Sequence, residues 1–230
     1  MKIIKGNIFT STCQTKVNTV NCVGVMGAGI ALEFKLRYPE MFTKYAELCE
    51  KQQLDIGKLW LYKSEANWTL NFPTKKHWKY PSKLDYIKRG LEKFMQSYQQ
   101  REIESIAFPV LGAAKGGLAE DHVLSLMQDY LKDCMIPVEI YQYDPTASDD
   151  LFIQFRQRIL ESSDAEIMQQ SGLRKQALNK LAVALGDNKV CTISQLATIP
   201  GIGAVTLEKA FALMRMPETS QQQSLFDLAE

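Results

Sequence analysis

Two rhythms of apolar and polar positions alternate along the first two thirds of this chain. Lys2-Ile-Ile-Lys5 and Val17-Asn-Thr-Val20 are short apolar runs that read as strands. Ile30–Arg37 is amphipathic at the helical period, and two successive helices are predicted over 31–38 and 39–52. Pro39 fits the first turn of the second helix, where its missing N–H costs nothing. Phe34, Phe42, Tyr45, Ala46 and Cys49 are the residues expected in the interior. Residues 57–63 and 67–72 read as a hairpin or paired strands. Ser82 is the predicted N-cap of a helix whose buried stripe is Leu84, Ile87, Leu91 and Phe94. Ser105–Val110 reads as a buried strand, and Val123, Leu124, Met127 and Leu131 mark one face of a helix over about 120–133. Pro137–Tyr143 is the last predicted strand, ended by Asp144-Pro145.

From Leu151 onward the pattern is helical throughout. Phe152, Phe155 and Ile159 suit one helix, and Leu173, Leu178, Leu181 and Leu185 another. The predicted organisation is an α/β domain over 1–146, a short connection at 147–150 and a small all-helical domain over 151–215. The tail, 216–230, is polar, Gln-rich and expected to be disordered.

Composition narrows the classes. A hydrophobic content of 46% supports a packed core, and no apolar run approaches the ~20 residues that span a membrane. The N-terminus enters a strand-like segment directly, with no signal-peptide core, and the expected location is the cytoplasm. Cys13, Cys22, Cys49, Cys134 and Cys191 are scattered, odd in number and without CxxC spacing. That argues against a disulfide framework and, with only His77 and His122 as histidines, against a metal site. The net charge of +1 makes the whole protein no electrostatic nucleic-acid binder.

Two glycine loops carry the candidate chemistry. Asn18-Thr-Val-Asn21 runs through Cys22-Val-Gly24-Val25-Met26-Gly27-Ala-Gly29 into the helix beginning near Ile30. Glycines there permit positive φ and close approach of backbone to ligand, and the following helix turns free amides to the same point. The spacing matches neither the dinucleotide fingerprint nor the P-loop. The second loop, Leu111-Gly112-Ala113-Ala114-Lys115-Gly116-Gly117-Leu118, also follows a strand and precedes a helix. Either loop alone is equally well a packing turn. Together they could set two helix N-termini around one polyphosphate.

With these two loops and Asn71-Phe-Pro-Thr-Lys-Lys-His-Trp78, residues 1–146 resemble the macrodomain family. Within it they resemble the branch of DNA-directed ADP-ribosyl hydrolases of DarG-type antitoxins. The resemblance implies an α/β macrodomain with a mixed central sheet, ADP-ribose between the two loops, and no cofactor. The implied ADP-ribose contacts are Asn7, Ile8, Asn18, Asn21, Gly24, Val25, Met26, Gly27, Gly29 and Ile30 from the first part of the chain. Leu111 to Gly117 and Tyr143 complete the set, Tyr143 as a ring to stack on adenine. The family commonly has an acid after the first strand for the adenine amino group. Here the residue is Asn7, which is equally a turn-forming asparagine. Lys75, directly after Thr74, holds the place of the lysine that attacks or polarises the anomeric carbon. Its pKa is expected to be lowered by Lys76, His77, Lys79 and partial burial. Some relatives have an aspartate in the second loop, which this chain lacks.

Between 74 and 89 six basic residues, Lys75, Lys76, Lys79, Lys83, Lys88 and Arg89, face a single acid, Asp85. His77, Trp78 and Tyr80 interleave with them. Cations for phosphates and rings for unpaired bases suit single-stranded nucleic acid, with Lys76, His77, Trp78 and Lys79 as candidate contacts. A solvated basic face has the same composition. Residues 193–211 resemble a helix-hairpin-helix element, with Gly201 and Gly203 in the hairpin and DNA phosphate as its ligand, or else a plain helix connector. Gln222-Gln-Ser-Leu225-Phe226 resembles the peptide that bacterial sliding clamps bind through a glutamine and a Leu-Phe pair. The function expected from the resemblance is removal of ADP-ribose from DNA. The alternatives are a non-catalytic ADP-ribose reader and an ADP-ribose 1″-phosphate phosphatase.

Overall fold

The structure is a computed structural model, and it describes residues 1–65 and 68–215, with the side chain of Arg215 outside that description. Gln222, Leu225 and Phe226 therefore lie outside the described residues. The chain runs β1 (Lys2–Gly6), a 3-10 turn (Ile8–Thr10), β2 (Thr15–Val20), α1 (Gly29–Arg37) and α2 (Pro39–Glu50). Next come β3 (Trp60–Lys63), β4 (Trp68–Pro73), α3 (Leu84–Ser97), β5 (Ile106–Pro109), α4 (Glu120–Leu131) and β6 (Val138–Tyr143). Helices α5 (Asp150–Glu161), α6 (Asp164–Ser171), α7 (Lys175–Gly186), α8 (Ile193–Leu196) and α9 (Ala204–Phe211) follow, before a final 3-10 turn at Ala212–Arg215.

The strands form one six-stranded mixed sheet in the order β1-β6-β5-β2-β4-β3. Every pairing is parallel except the β3–β4 hairpin. Such a sheet is covered on both faces, so the central strands β2, β4 and β5 are buried along most of their length with little alternation, polar residues included. Val17, Leu70, Phe72, Ile106, Phe108 and Ile140 pack with α3 and α4. Val20, Phe34, Met41 and Tyr45 form a second cluster around α1 and α2.

Ser82 is not the N-cap of α3. Lys83 occupies that position without a side-chain cap bond, while Ser82 is buried and donates its N–H to Gly116 O (2.9 Å). The requirement to anchor the second glycine loop overrides the local capping preference. Leu84, expected in the buried stripe, is exposed, whereas Ile87, Leu91 and Phe94 are buried.

Helices α5 to α9 do not build their interior alone. Leu32 and Leu36 of α1 belong to the same apolar cluster as Phe152, Phe155, Leu181, Leu196, Leu207 and Phe211. Asp149, at the junction, caps α5 by accepting from Phe152 N (2.9 Å). It also accepts from Asn7 Nδ2 (2.9 Å) and pairs with Arg37 (2.6 Å), so one carboxylate joins β1, α1 and α5. Among the described residues no helix is long and apolar enough to cross a membrane.

Candidate active site

The first glycine loop is shaped by one side chain. Asn21, just beyond β2, accepts at Oδ1 from Val23 N (3.0 Å) and Val25 N (3.4 Å) and donates from Nδ2 to Val25 O (2.5 Å). Tyr45 of α2 donates to the same residue's carbonyl (2.9 Å) and amide oxygen (3.1 Å). Asparagine suits this place because its amide offers both donor and acceptor to a turn. Gly29, at φ 55°, opens α1, whose N-cap, Ala28, supplies no side-chain bond. The first-turn amides of α1 are thus available to a ligand.

The second loop is tighter. Gly112 has φ 68°, and Leu118 N donates to Gly112 O (3.1 Å). A Cβ on Gly116 would fall 2.0 Å from Gly112 O, so no larger residue fits this fold of the loop. The helix beyond it, α4, begins with Glu120 and Asp121 and has no side-chain cap bond. Those carboxylates already complement its dipole, so the amides this side can offer to an anion are those of the loop itself.

Between the loops, across the carboxyl ends of β1, β6, β5, β2 and β4, lies a cleft of about 580 Å³. Asn7, Ile8, Asn21, Val25, Gly27, Gly29 and Ile30 line it on one side. Gly112, Ala113, Ala114, Lys115 and Gly116 line it on the other, with Tyr143, Lys75 and Trp78. Five expected contacts do not line it. Asn18 is fully buried beneath the first loop and donates to Asn71 Oδ1 (3.0 Å), so it cannot meet a ribose. Met26 and Leu111 are buried in the core, Gly24 packs its backbone on Ala46 and Cys49, and Gly117 sits outside the wall.

Thr74 is buried at the end of β4, and half-buried Lys75 enters the cleft, where Nζ donates to Lys115 O across to the second loop. Burial lowers the Lys75 pKa. The neighbouring cations expected to do this are not the cause, because Lys76 turns the opposite way and pairs with Asp55 (2.6 Å). Cys22 holds the segment from behind: its N–H donates to Lys76 O (3.2 Å) and its thiol to Lys75 O (3.3 Å). Burial pushes that thiol pKa up to about 12, which keeps it a neutral donor. At the mouth His77 stacks on Trp78 (5.6 Å between centroids), and Lys79 Nζ stands 5.2 Å from the Trp78 ring centre. Trp78 is 49% exposed and Tyr80 65%, large rings left open to solvent beside cations.

Asn7 is engaged within the protein. Its Oδ1 accepts from Phe9 N (3.0 Å), and its Nδ2 donates to Asp149 and to Ala147 O (3.2 Å). Tyr143, half exposed, pairs its hydroxyl with Thr192 Oγ1 (2.9 Å). Glu33, Glu120 and Ser194 also line the cleft and have no counterpart in the sequence-level set. The one local signal for Glu33 is an acid set between Leu32 and Phe34, both fully buried. Ser194 is 161 residues away from Glu33 and had none. Gly201, at φ 88°, and Gly203, the N-cap of α9, stand apart from the cleft, and α8 before them is a single turn. Among the described residues no group of three or more His, Cys, Asp or Glu could hold a metal ion.

A mixed six-stranded sheet with a two-loop cleft over the strand ends is the architecture of an ADP-ribose-type macrodomain. The chain belongs to the Macro domain family, whose model matches residues 17–127. It is 38% identical over 149 residues to a DNA ADP-ribosyl glycohydrolase of Thermus aquaticus, covering 63% of this chain and 41% of that protein. It is also similar in structure to the macrodomain of Mycobacterium tuberculosis DarG: TM-score 0.59, 40% identity, 61% of this chain and 95% of that one. Thermosipho africanus DarTG, solved in complex with ADP-ribose, gives TM-score 0.59 and 38% identity over 61% of this chain and 40% of its own. The chain thus spans about two fifths of the length of its Thermus aquaticus relative.

Proposed function

We propose that this chain hydrolyses the glycosidic bond between ADP-ribose and a base of single-stranded DNA. The observation that carries this reading is Lys75, half-buried in the cleft opposite the second glycine loop, with a lowered pKa and an exposed cation-and-ring surface directly beside it. The glycine-loop amides and the start of α1 suit the diphosphate. The free amine of Lys75 attacks or polarises the anomeric carbon of the distal ribose. In the covalent route a bond forms between Nζ and that carbon while the bond to the base breaks, the base leaves with the proton lost from Nζ, and opening of the sugar ring gives the imine that borohydride reduces. Water then releases ADP-ribose and returns the amine. Trp78 and Lys79 offer stacking and phosphate contact to the strand that carries the modified base.

The test is incubation with an ADP-ribosylated single-stranded oligonucleotide. Free ADP-ribose is expected, together with a borohydride-trapped adduct on Lys75 if the route is covalent. Tight binding of ADP-ribose with no release would instead make the chain a reader. Phosphate released from ADP-ribose 1″-phosphate would make it a phosphatase.

A further inference from the structure

Glu33 is a buried ionisable group on the cleft wall that catalysis by Lys75 does not use. It projects from α1 and is only 4% exposed. Its Oε1 accepts from Ser194 Oγ (2.5 Å) and from Ser194 N (3.2 Å), a serine of α8 that also lines the cleft. Both bonds end on Oε1, and no described residue forms a hydrogen bond with Oε2. Burial raises the Glu33 pKa, partly offset by the two Ser194 bonds and by Arg37. A carboxyl group withdrawn from water is costly unless something uses it.

The chemistry of the cleft differs between its ends. Lys75, Lys115 and the glycine amides lie where β4, β2 and β5 finish, and they suit phosphate and ribose. At the other end, where β1 and β6 finish side by side at Gly6 and Tyr143, the wall is Ile8, Phe9, Ile30, Tyr141 and Tyr143. Glu33 belongs to this end: its charge acts on Tyr143, and Ser194 is two residues from Thr192, the partner of the Tyr143 hydroxyl. Four strand spacings separate β1 from β4, roughly 19 Å at the usual separation. Apolar and aromatic walls with one hydrogen-bond acceptor suit a flat heteroaromatic ring carrying an amino group. Asn7, the nearer polar residue by sequence, is committed at both ends of its amide.

We propose that Glu33, held by Ser194 of α8, accepts a hydrogen bond from the exocyclic amine of the bound base and selects a 6-amino purine over a 6-oxo purine. Helix α8, which lies beyond the residues matched by the family model, thereby completes the nucleotide end of the cleft. This rests on ADP-ribose as the ligand, not on hydrolysis, and binding measurements test it without turnover. A hydrogen bond to a charged group makes a difference of roughly 10- to 100-fold.

Calorimetric titration of the full chain with ADP-ribose and with its hypoxanthine analogue, IDP-ribose, is the experiment. Wild type is expected to prefer ADP-ribose by at least about tenfold. Glu33→Gln, whose Oε1 can stay on Ser194 while Nε2 donates to a 6-oxo group and cannot accept from an amine, should remove or reverse the preference. Ser194→Ala should narrow the ratio through a less well-held carboxylate, a change a purely structural serine would not make. Equal affinities in the wild type, or the full wild-type ratio in a folded Glu33→Gln, would overturn the proposal. If Glu33→Gln does not fold, an unchanged ratio in Ser194→Ala overturns it. No binding of either nucleotide would overturn the ligand reading itself, and the selectivity with it.

Discussion

At the scale of single residues, Lys75 tests the proposed reaction and Gly27 the proposed binding. Lys75→Ala should retain ADP-ribose affinity while turnover falls by roughly 10²–10⁴-fold, the usual range for a lost proton-transfer or nucleophilic group. Comparison of kcat with calorimetric Kd checks this, and full activity in the variant would remove Lys75 from the mechanism. The pH dependence has a defined sign. Only the unprotonated amine attacks, so the rate rises with pH. Burial lowers the Lys75 pKa, so the midpoint of that rise should lie below the ~10.4 of an ordinary lysine. A Cβ at Gly27 meets only Val25 Cγ1, at 3.9 Å, so a side chain there fits the fold. Gly27→Glu should therefore abolish ADP-ribose binding with an unchanged melting temperature. Gly116 is the weaker probe, because its Cβ would strike the backbone of Gly112 and reshape the loop before any charge acted.

At the scale of elements, the close seating of α3 on the sheet sets the geometry behind the cleft. Gly90 lies against the Phe72 ring, where an added Cβ would come within 2.1 Å. Both residues are buried, and β4, which ends at Pro73, delivers Thr74 and Lys75 to the site. Gly90→Ala should cost about 1–3 kcal/mol by overpacking, read from the urea midpoint. Phe72→Leu in the same chain should recover part of that loss by making room. A wild-type midpoint in Gly90→Ala would mean that α3 shifts freely on the sheet.

At the scale of the whole molecule, Asp149 connects the sheet, the first helix and the C-terminal helices. It is 5% exposed and is bonded to Arg37, Asn7 and the start of α5. Asp149→Ala should leave the Arg37 guanidinium buried without its counter-charge and cost roughly 3–5 kcal/mol. Denaturant unfolding measures this, and a loss near zero would show that the Asp149 contacts do not hold α5 to α9 to the rest of the chain. Leu32 and Leu36 point the same way, since the helical part uses these α1 side chains for its own interior.

The sequence by itself determined the elements and the loops. Apolar period, glycine position and the Pro39 and Asp144-Pro145 breaks are local properties, so strands, helices and both glycine loops were legible from them. So were the cleft positions of Asn21, Gly27, Gly29 and Lys75, which follow directly from strand ends. The tertiary structure alone decided which loop residues face outward: Asn18, Gly24, Met26, Leu111 and Gly117 turn away from the cleft, and nothing in their type reveals it. It also turned Ser82 from a helix cap into a support for Gly116, and committed Asn7 to Asp149. The Glu33–Ser194 pair is the clearest case. Its partners are joined only because the C-terminal helices share a core with α1, and contacts so far apart in sequence leave no periodic trace along the chain.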